Sequence, residues 1–450
     1  MGDDKPTNPL RAVLNIRREE LPLALLMFGY FFLVISTFWI LKPIKKSLFI
    51  GFYKQAGGLE IFSLTLTGSQ AEQIAKVLNM LVAFVAVAVF SWLSRRLVRQ
   101  QLTLVFSAFF AVTFVLFGFT LSQPGAWQVW AFYLYGDLYS TIMVATFFVF
   151  LNDSVSPAAA RRLYGLIVLG GVAGGVFGTS ALRGLINLLS TPGWLWVCLV
   201  IALVIALLAH LAGRRVDANP PDLGATKPQK DEPGGESSQT APGNPAIEGA
   251  RLVFRSRYLL SIVAMVGLYE IVSTIMDFQF SATVEHYVAA GEAMKVHFAT
   301  VFMITNIVSL VIQILFTSYL MSRFKLYVAL LVLPAMAMLG SSAYMLLPIL
   351  WVGSLLNTAD NAFNYSINQS AREALYTATS RDEKYKAKAF IDMFVQRFAK
   401  AIAVGINIAV PVVFAGFASI RWLSAITVVV ILLWAIAARF AGRRFHELAG

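Results

Sequence analysis

With 450 residues, 58% of them hydrophobic, and a mean hydropathy of +0.71, the chain lies outside the range of soluble domains, where about half the residues are apolar and apolar runs are short. The formal charge of +12 falls largely in short clusters at the ends of apolar runs, so nucleic-acid binding is excluded as its cause. A single cysteine, Cys198 in an apolar run, excludes a disulfide framework and a multi-cysteine metal cluster, and reads as a small buried hydrophobe.

The fold class that follows is an all-α polytopic membrane protein. A hydrocarbon core of about 30 Å needs about 20 helical residues. That ruler predicts spans at 21–41, 74–94, 101–122, 127–151, 163–188 and 193–212, then at 258–283, 296–321, 326–347, 350–377, 389–415 and 421–440. The polar segment 1–20 precedes a run of full spanning length, so no cleavable signal is expected.

The first span ends in WILKPIKKSLFIGFYK, with Lys42, Lys45 and Lys46 among apolar residues. Pro43 lacks a backbone donor and crowds the preceding turn, which predicts a kink or break there. The lysines either snorkel to headgroups or line a path that attracts anions. The fourth span carries Tyr135, Asp137, Tyr139 and Ser140 about halfway across, with Asp137 its one ionisable group. The fifth span places Gly170, Gly174 and Gly178, and also Gly171 and Gly175, at spacing four; with no preceding strand and no Lys-Ser or Lys-Thr after it, this is a close-packing face and not a phosphate loop.

Residues 213–256 are rich in Pro, Gly and charge and read as a flexible linker between a bundle at 21–212 and a second at 257–440, with a tail at 441–450. Basic clusters follow alternate spans: Arg95, Arg96 and Arg99; Arg161 and Arg162; Arg214 and Arg215; Arg323 and Lys325; Lys384, Lys386 and Lys388; Arg439, Arg443 and Arg444. The inside-positive bias therefore puts both termini and the linker in the cytoplasm.

In the second half, Glu270, Thr274 and Asp277 share one face of the seventh span. His286 and His297, with Glu285 and Glu292, flank a short outer segment and read as solvated loop residues more readily than as a metal site. The tenth span carries Asn357, Asn361, Asn364 and Asn368 every three or four residues, with Asp360 beside them, a stripe suited either to hydroxyls, phosphates or a purine edge, or to helix-to-helix hydrogen bonds. The eleventh brings Arg397 and Lys400 into the membrane, with Lys384, Lys386 and Lys388 at its mouth and Asp392 one turn from Lys388, close enough for an intrahelical ion pair. Ionisable groups at bilayer depth cost about 2.5–3.5 kcal/mol each on insertion scales, so they must face protein or a watery cavity. No nucleophile, base and orienting-group constellation is readable, so no enzyme is expected.

The 6+6 count, and equivalent basic turns at FSWLSRRL (90–97) and TSYLMSRF (317–324), match the two-repeat organisation of major facilitator transporters, with 12 transmembrane helices in two six-helix bundles. In LKPIKKSL from Leu41, in DLYST from Asp137, and above all in EKYKAKAFIDMFVQRFAK, the chain resembles the ATP/ADP translocase family of plastids and intracellular bacteria. The resemblance puts Lys45 and Asp137 on a family lysine and a family acid, and it matches Lys384, Lys386, Lys388, Asp392, Arg397 and Lys400. In the first motif both family acids are missing, and the family's seventh-span glutamate aligns near Thr274. The resemblance implies a monomeric carrier of the bacterial inner membrane that moves a nucleotide or related phosphorylated metabolite, with no cofactor and no metal. In that reading Lys42, Lys45, Lys46, Arg397 and Lys400 attract the anion in a cavity between the halves, the asparagine stripe orients it, and Asp137, Glu270 and Asp392 pair with the cations when it is absent. A proton-linked flippase for an anionic amphiphile and a non-transporting sensor or assembly subunit are the competing expectations.

Overall fold

The computed structural model describes residues 19–218, 245–379, 387–388, 390–414 and 416–449. Segments 1–18 and 219–244, Lys384, Lys386 and the side chain of Asp392 lie outside the described residues. The first half consists of α1 (Leu21–Gln55), a hairpin of β1 (Leu59–Ile61) and β2 (Leu64–Leu66), α2 (Gly68–Ser94), α3 (Arg99–Thr120), α4 (Ala126–Asn152), α5 (Pro157–Leu185) and α6 (Thr191–Ala218). The second consists of α7 (Pro245–Arg255), α8 (Arg257–Tyr287), α9 (Glu292–Arg323), α10 (Leu326–Leu346), α11 (Leu350–Phe363), α12 (Gln369–Leu375), α13 (Gln396–Val413) and α14 (Arg421–Ala449). Among the described residues, eleven helical segments are long and apolar enough to cross a membrane. The remaining stretch expected to span is α11 with α12, joined by a π-helical turn at Asn364–Asn368. Among the described residues the chain's regular structure is helical apart from the β1–β2 hairpin, as expected of an all-α polytopic membrane protein.

By contact the residues fall into two compact units: Met1–Leu48 with Leu78–Ser237, and Phe49–Val77 with Ser238–Gly450. The far end of α1, the hairpin and the start of α2 thus belong with the second unit.

In the first unit α1 runs on through Pro43, so of the kink or break expected there the break is absent; a membrane helix tolerates proline where neighbouring groups re-satisfy the carbonyl it orphans. The glycines of α5 lie on α1: a Cβ at Gly170 would stand 2.7 Å from the Phe28 carbonyl oxygen and one at Gly178 2.5 Å from that of Ser36. Ser36 Oγ donates to the Gly174 carbonyl (3.1 Å), so the two backbones meet directly. Ser156 caps α5 by accepting from Ala159 N, with Pro157 at the first helical position, where its missing N–H costs nothing. Phe31 stacks on Phe147 of α4 at 4.4 Å.

In the second unit α8 packs against α11, α13 and α14, and α10 against α11 and α14. Gln279 on α8 donates through Nε2 to the Ile420 carbonyl (3.2 Å) and to Ser424 Oγ (2.9 Å), using both donors of a buried amide inside the bundle. Reciprocal caps tie the hairpin region to α8. Glu285 accepts from Gly68 N (2.6 Å) and Ser69 N (2.7 Å) at the start of α2, where the helix dipole favours an anion. Lys54 near the end of α1 donates to the carbonyls of Glu285 and of Val288 (2.8 Å) at the end of α8. The solvated-loop expectation for 285–297 is thereby corrected. Glu285 and His286 end α8, Glu292 opens α9, and His297 within α9 bonds Ser354 (2.9 Å), because both helices run past their apolar cores.

Candidate functional site

Two polar sets lie within the spans, one in each unit. In the first unit Lys45, 5% exposed, forms an ion pair with Asp137 of α4, and Asn79 of α2 donates to the other carboxylate oxygen. Lys45 also lies over the Tyr133 ring at 4.6 Å. Its stem crosses α4 at Gly136, where a Cβ would fall 2.6 Å from Lys45 Cδ, so glycine at that position is what lets the ammonium reach the next residue. Lys42 sits over Trp39 at 4.5 Å, and Lys46 is buried. Tyr135 and Tyr139 are taken up by packing: Tyr135 bonds Thr113 (2.9 Å), and both rings contact Phe110 and Phe114.

In the second unit α8 supplies Glu270, Ser273, Thr274 and Asp277 from one face, as helical spacing requires. Lys400 of α13 pairs with Glu270 at 2.9 Å, and Lys76 of α2 pairs with Asp277 while lying 3.7 Å from Glu72 on its own helix. Asn357 of α11 donates to Asp277 (3.4 Å), and Ser273 donates to Asp360 (2.6 Å). Asn407 of α13 donates to Gln73 Oε1 (3.1 Å) and to the Thr274 carbonyl (3.2 Å). Three buried amide atoms of this set, Gln73 Nε2, Asn357 Oδ1 and Asn407 Oδ1, have no hydrogen-bond partner among the described residues. Leaving such atoms unmet costs about 1–3 kcal/mol each.

The asparagine stripe divides. Asn357 reaches across to α8, whereas Asn361 donates to the Asn357 carbonyl (2.9 Å) and Asn368 to Asn364 Oδ1 (2.9 Å) within their own helical stretch. Lys388 bonds both oxygens of Glu373, at 2.7 Å each. Arg397 is half-buried on α13, one turn before Lys400.

The family model for the TLC ATP/ADP transporter matches residues 120–351 and 338–445. The chain belongs to the TLC ATP/ADP transporter family. It is 22% identical to ADP,ATP carrier protein 1 of Chlamydia pneumoniae, covering 98% of this chain and 95% of the relative, and 23% identical to that of Chlamydia muridarum, covering 88% and 84%. Its fold is similar to the POT family transporter PepTSo (TM-score 0.60, 12% identity, covering 94% of this chain and 97% of that one). It is also similar to an inward-facing, unoccupied bacterial homologue of the human lysosomal transporter Spinster (TM-score 0.55, 15% identity, covering 94% and 98%). The protein is therefore a membrane transporter of a nucleotide-carrying family.

For this TLC-family transporter, sequence reasoning missed Glu72, Gln73, Lys76, Asn79, Ser273 and Asn407. The signal for Glu72 and Gln73 was present: QAEQIAKVLN sets polar residues at helical spacing, but a span placed by hydropathy begins at 74 and leaves 68–73 in a loop. The helix begins at Gly68 because Thr67 and Glu285 supply its first acceptors.

Proposed function

We propose that the transporter exchanges adenine nucleotides, or phosphorylated anions of the same kind, by alternating access across the bacterial inner membrane. In this reading it acts as a monomer with both termini in the cytoplasm. The observation that carries the proposal is the set of lysines held against carboxylates at membrane depth: Lys45 on Asp137, Lys400 on Glu270 and Lys76 on Asp277. A phosphate brings stronger charge and more acceptor oxygens than a carboxylate, so it displaces one as the lysine's partner. The freed carboxylate then favours whichever conformation re-pairs it, and the substrate shifts the equilibrium by its differential affinity for the two states. Gln73, Asn357 and Asn407 would offer neutral donors and acceptors to the uncharged part of the substrate. Lys384, Lys386 and Asp392 keep the gating role the family resemblance gives them, with Lys388 closed on Glu373.

The test is uptake of labelled ATP into proteoliposomes preloaded with ADP, ATP or buffer. Uptake is expected only against internal nucleotide, and Lys400→Ala should lower it by at least about tenfold, the loss that goes with one charge-assisted contact. Movement of a fluorescent anionic phospholipid without any nucleotide flux would replace this reading with a flippase.

A further inference from the structure

At the end of the first unit that carries its basic clusters, three of the arginines are held by partners. Arg99 pairs with Asp217 (2.9 Å) and donates to the Asp153 carbonyl (2.8 Å); Arg162 is paired with Glu20, and Arg96 stacks on Trp92 at 4.3 Å. Arg214 and Arg215, on the last turns of α6, are exposed, and neither has an ion-pair partner among the described residues. They stand over a groove of about 600 Å³ whose other walls are Pro22, Leu25 and Leu26 of α1 and Leu211 of α6. Leu25 and Leu211, 53% and 41% exposed, lie on membrane spans, so that part of the groove opens toward acyl chains. Glu19, an acid at the same end, is not among the lining residues.

We propose that this groove is a binding site for an anionic phospholipid, with the phosphate on Arg214 and Arg215 and an acyl chain along Leu25 and Leu211. The leucine wall selects lipid over a free phosphate, which has no apolar surface to bury there, and over a nucleotide, whose base is a compact ring that stacks and hydrogen-bonds and has no chain to lie along Leu25 and Leu211. Paired cations beside an apolar groove at the end of a span meet the two parts of a phospholipid at their natural spacing, and each arginine near an anionic headgroup favours binding several-fold. The bound lipid is a resident of the first unit and not the cargo.

The test uses the full-length protein in detergent, with native mass spectrometry after adding phosphatidylglycerol or phosphatidylcholine. Wild type should retain phosphatidylglycerol, and Arg214→Gln/Arg215→Gln should cut retention by about 30-fold, the product of two such contacts. Phosphatidylcholine retention should be low and equal in both proteins. Arg439→Gln/Arg443→Gln removes the same charge at another span end and should leave phosphatidylglycerol binding within about twofold, since neither residue lines the groove. Because both arginines are exposed, the variant should keep the wild-type melting temperature without lipid, which checks folding. Equal losses in the two double variants, equal retention of the two lipids by wild type, or displacement of phosphatidylglycerol by inorganic phosphate at millimolar concentration would each overturn the proposal.

Discussion

Asp137 and Lys45 form a pair in which each partner's removal has a different cost from the removal of both. Taking Asp137 away leaves Lys45, 5% exposed over the Tyr133 ring, without its ion-pair partner, and an uncompensated buried charge costs about 3–5 kcal/mol. Asp137→Ala is therefore expected to lower the melting temperature in detergent sharply, whereas Lys45→Met/Asp137→Leu should return it to within about 1 kcal/mol of wild type, since an apolar pair of similar volume replaces a buried ion pair at little cost. Both variants should fail to exchange nucleotide in proteoliposomes. A double variant as unstable as the single, or one that still transports, would separate this pair from the role proposed for it. Asp137 was legible in the sequence because one acid in an apolar run must be accounted for. Its partners were half legible: Lys45 lies in a visible cluster, but Asn79 is a lone amide in an apolar stretch. Lys76 and Asn407 were less visible, because which residue meets Asp277 or Thr274 is set by how helices far apart in sequence pack, which no local spacing encodes.

The α5–α1 contact is the element whose sequence signal was plainest. Glycines at spacing four predict a backbone approached closely, and the carbonyls of Phe28 and Ser36 lie where side chains would be. Substitution should follow that geometry residue by residue. Gly178→Leu sets a side chain against backbone, which cannot give way, and should destabilise by about 1–3 kcal/mol or prevent folding. Gly184→Ala, on the same helix with nothing within 4 Å of the added carbon, should stay within about 0.5 kcal/mol of wild type. Thermal unfolding of the two variants side by side is the measurement, and equal shifts would mean that α5 does not lie on α1 in this way. The π-helical turns at Ile312–Thr317, Asn364–Asn368 and Ile391–Val395 carry no such signal. A π turn inserts one residue into an α-helix, and its position is decided by tertiary fit. Two of the three fall in the stretch that also carries the asparagines and the lysines, so spacing four placed those residues on one face only until the turn shifted them. Asn364 and Asn368 consequently bond each other, while Asn357 reaches α8.

For the molecule as a whole, orientation in the membrane follows from charge. Arg95 and Arg96 lie between α2 and α3 in sequence, Arg99 opens α3, Arg214 and Arg215 close α6, and the β1–β2 hairpin joins α1 to α2. The inside-positive bias arises because lysine and arginine are held back from crossing during insertion, so it predicts the basic end inside and the hairpin outside. Lys42, Lys45 and Lys46 toward the hairpin end of α1 run against that bias, but two of them are buried in the fold, and the bias counts charges in short loops. The single cysteine makes the test simple, because Cys198 is fully buried and should not react with a thiol reagent in the folded protein. Phe62 at the hairpin tip, in a left-handed conformation (φ 53°), points its side chain wholly into the open, and Val98 between α2 and α3 is 64% exposed. In intact cells a membrane-impermeant maleimide should label Phe62→Cys and spare Val98→Cys, and in inside-out vesicles the pattern should reverse, with wild type unlabelled in both. Labelling of Val98→Cys from outside would invert the topology. It would also place Arg214 and Arg215 against the outer leaflet, where the attraction of an anionic surface for basic residues is weaker.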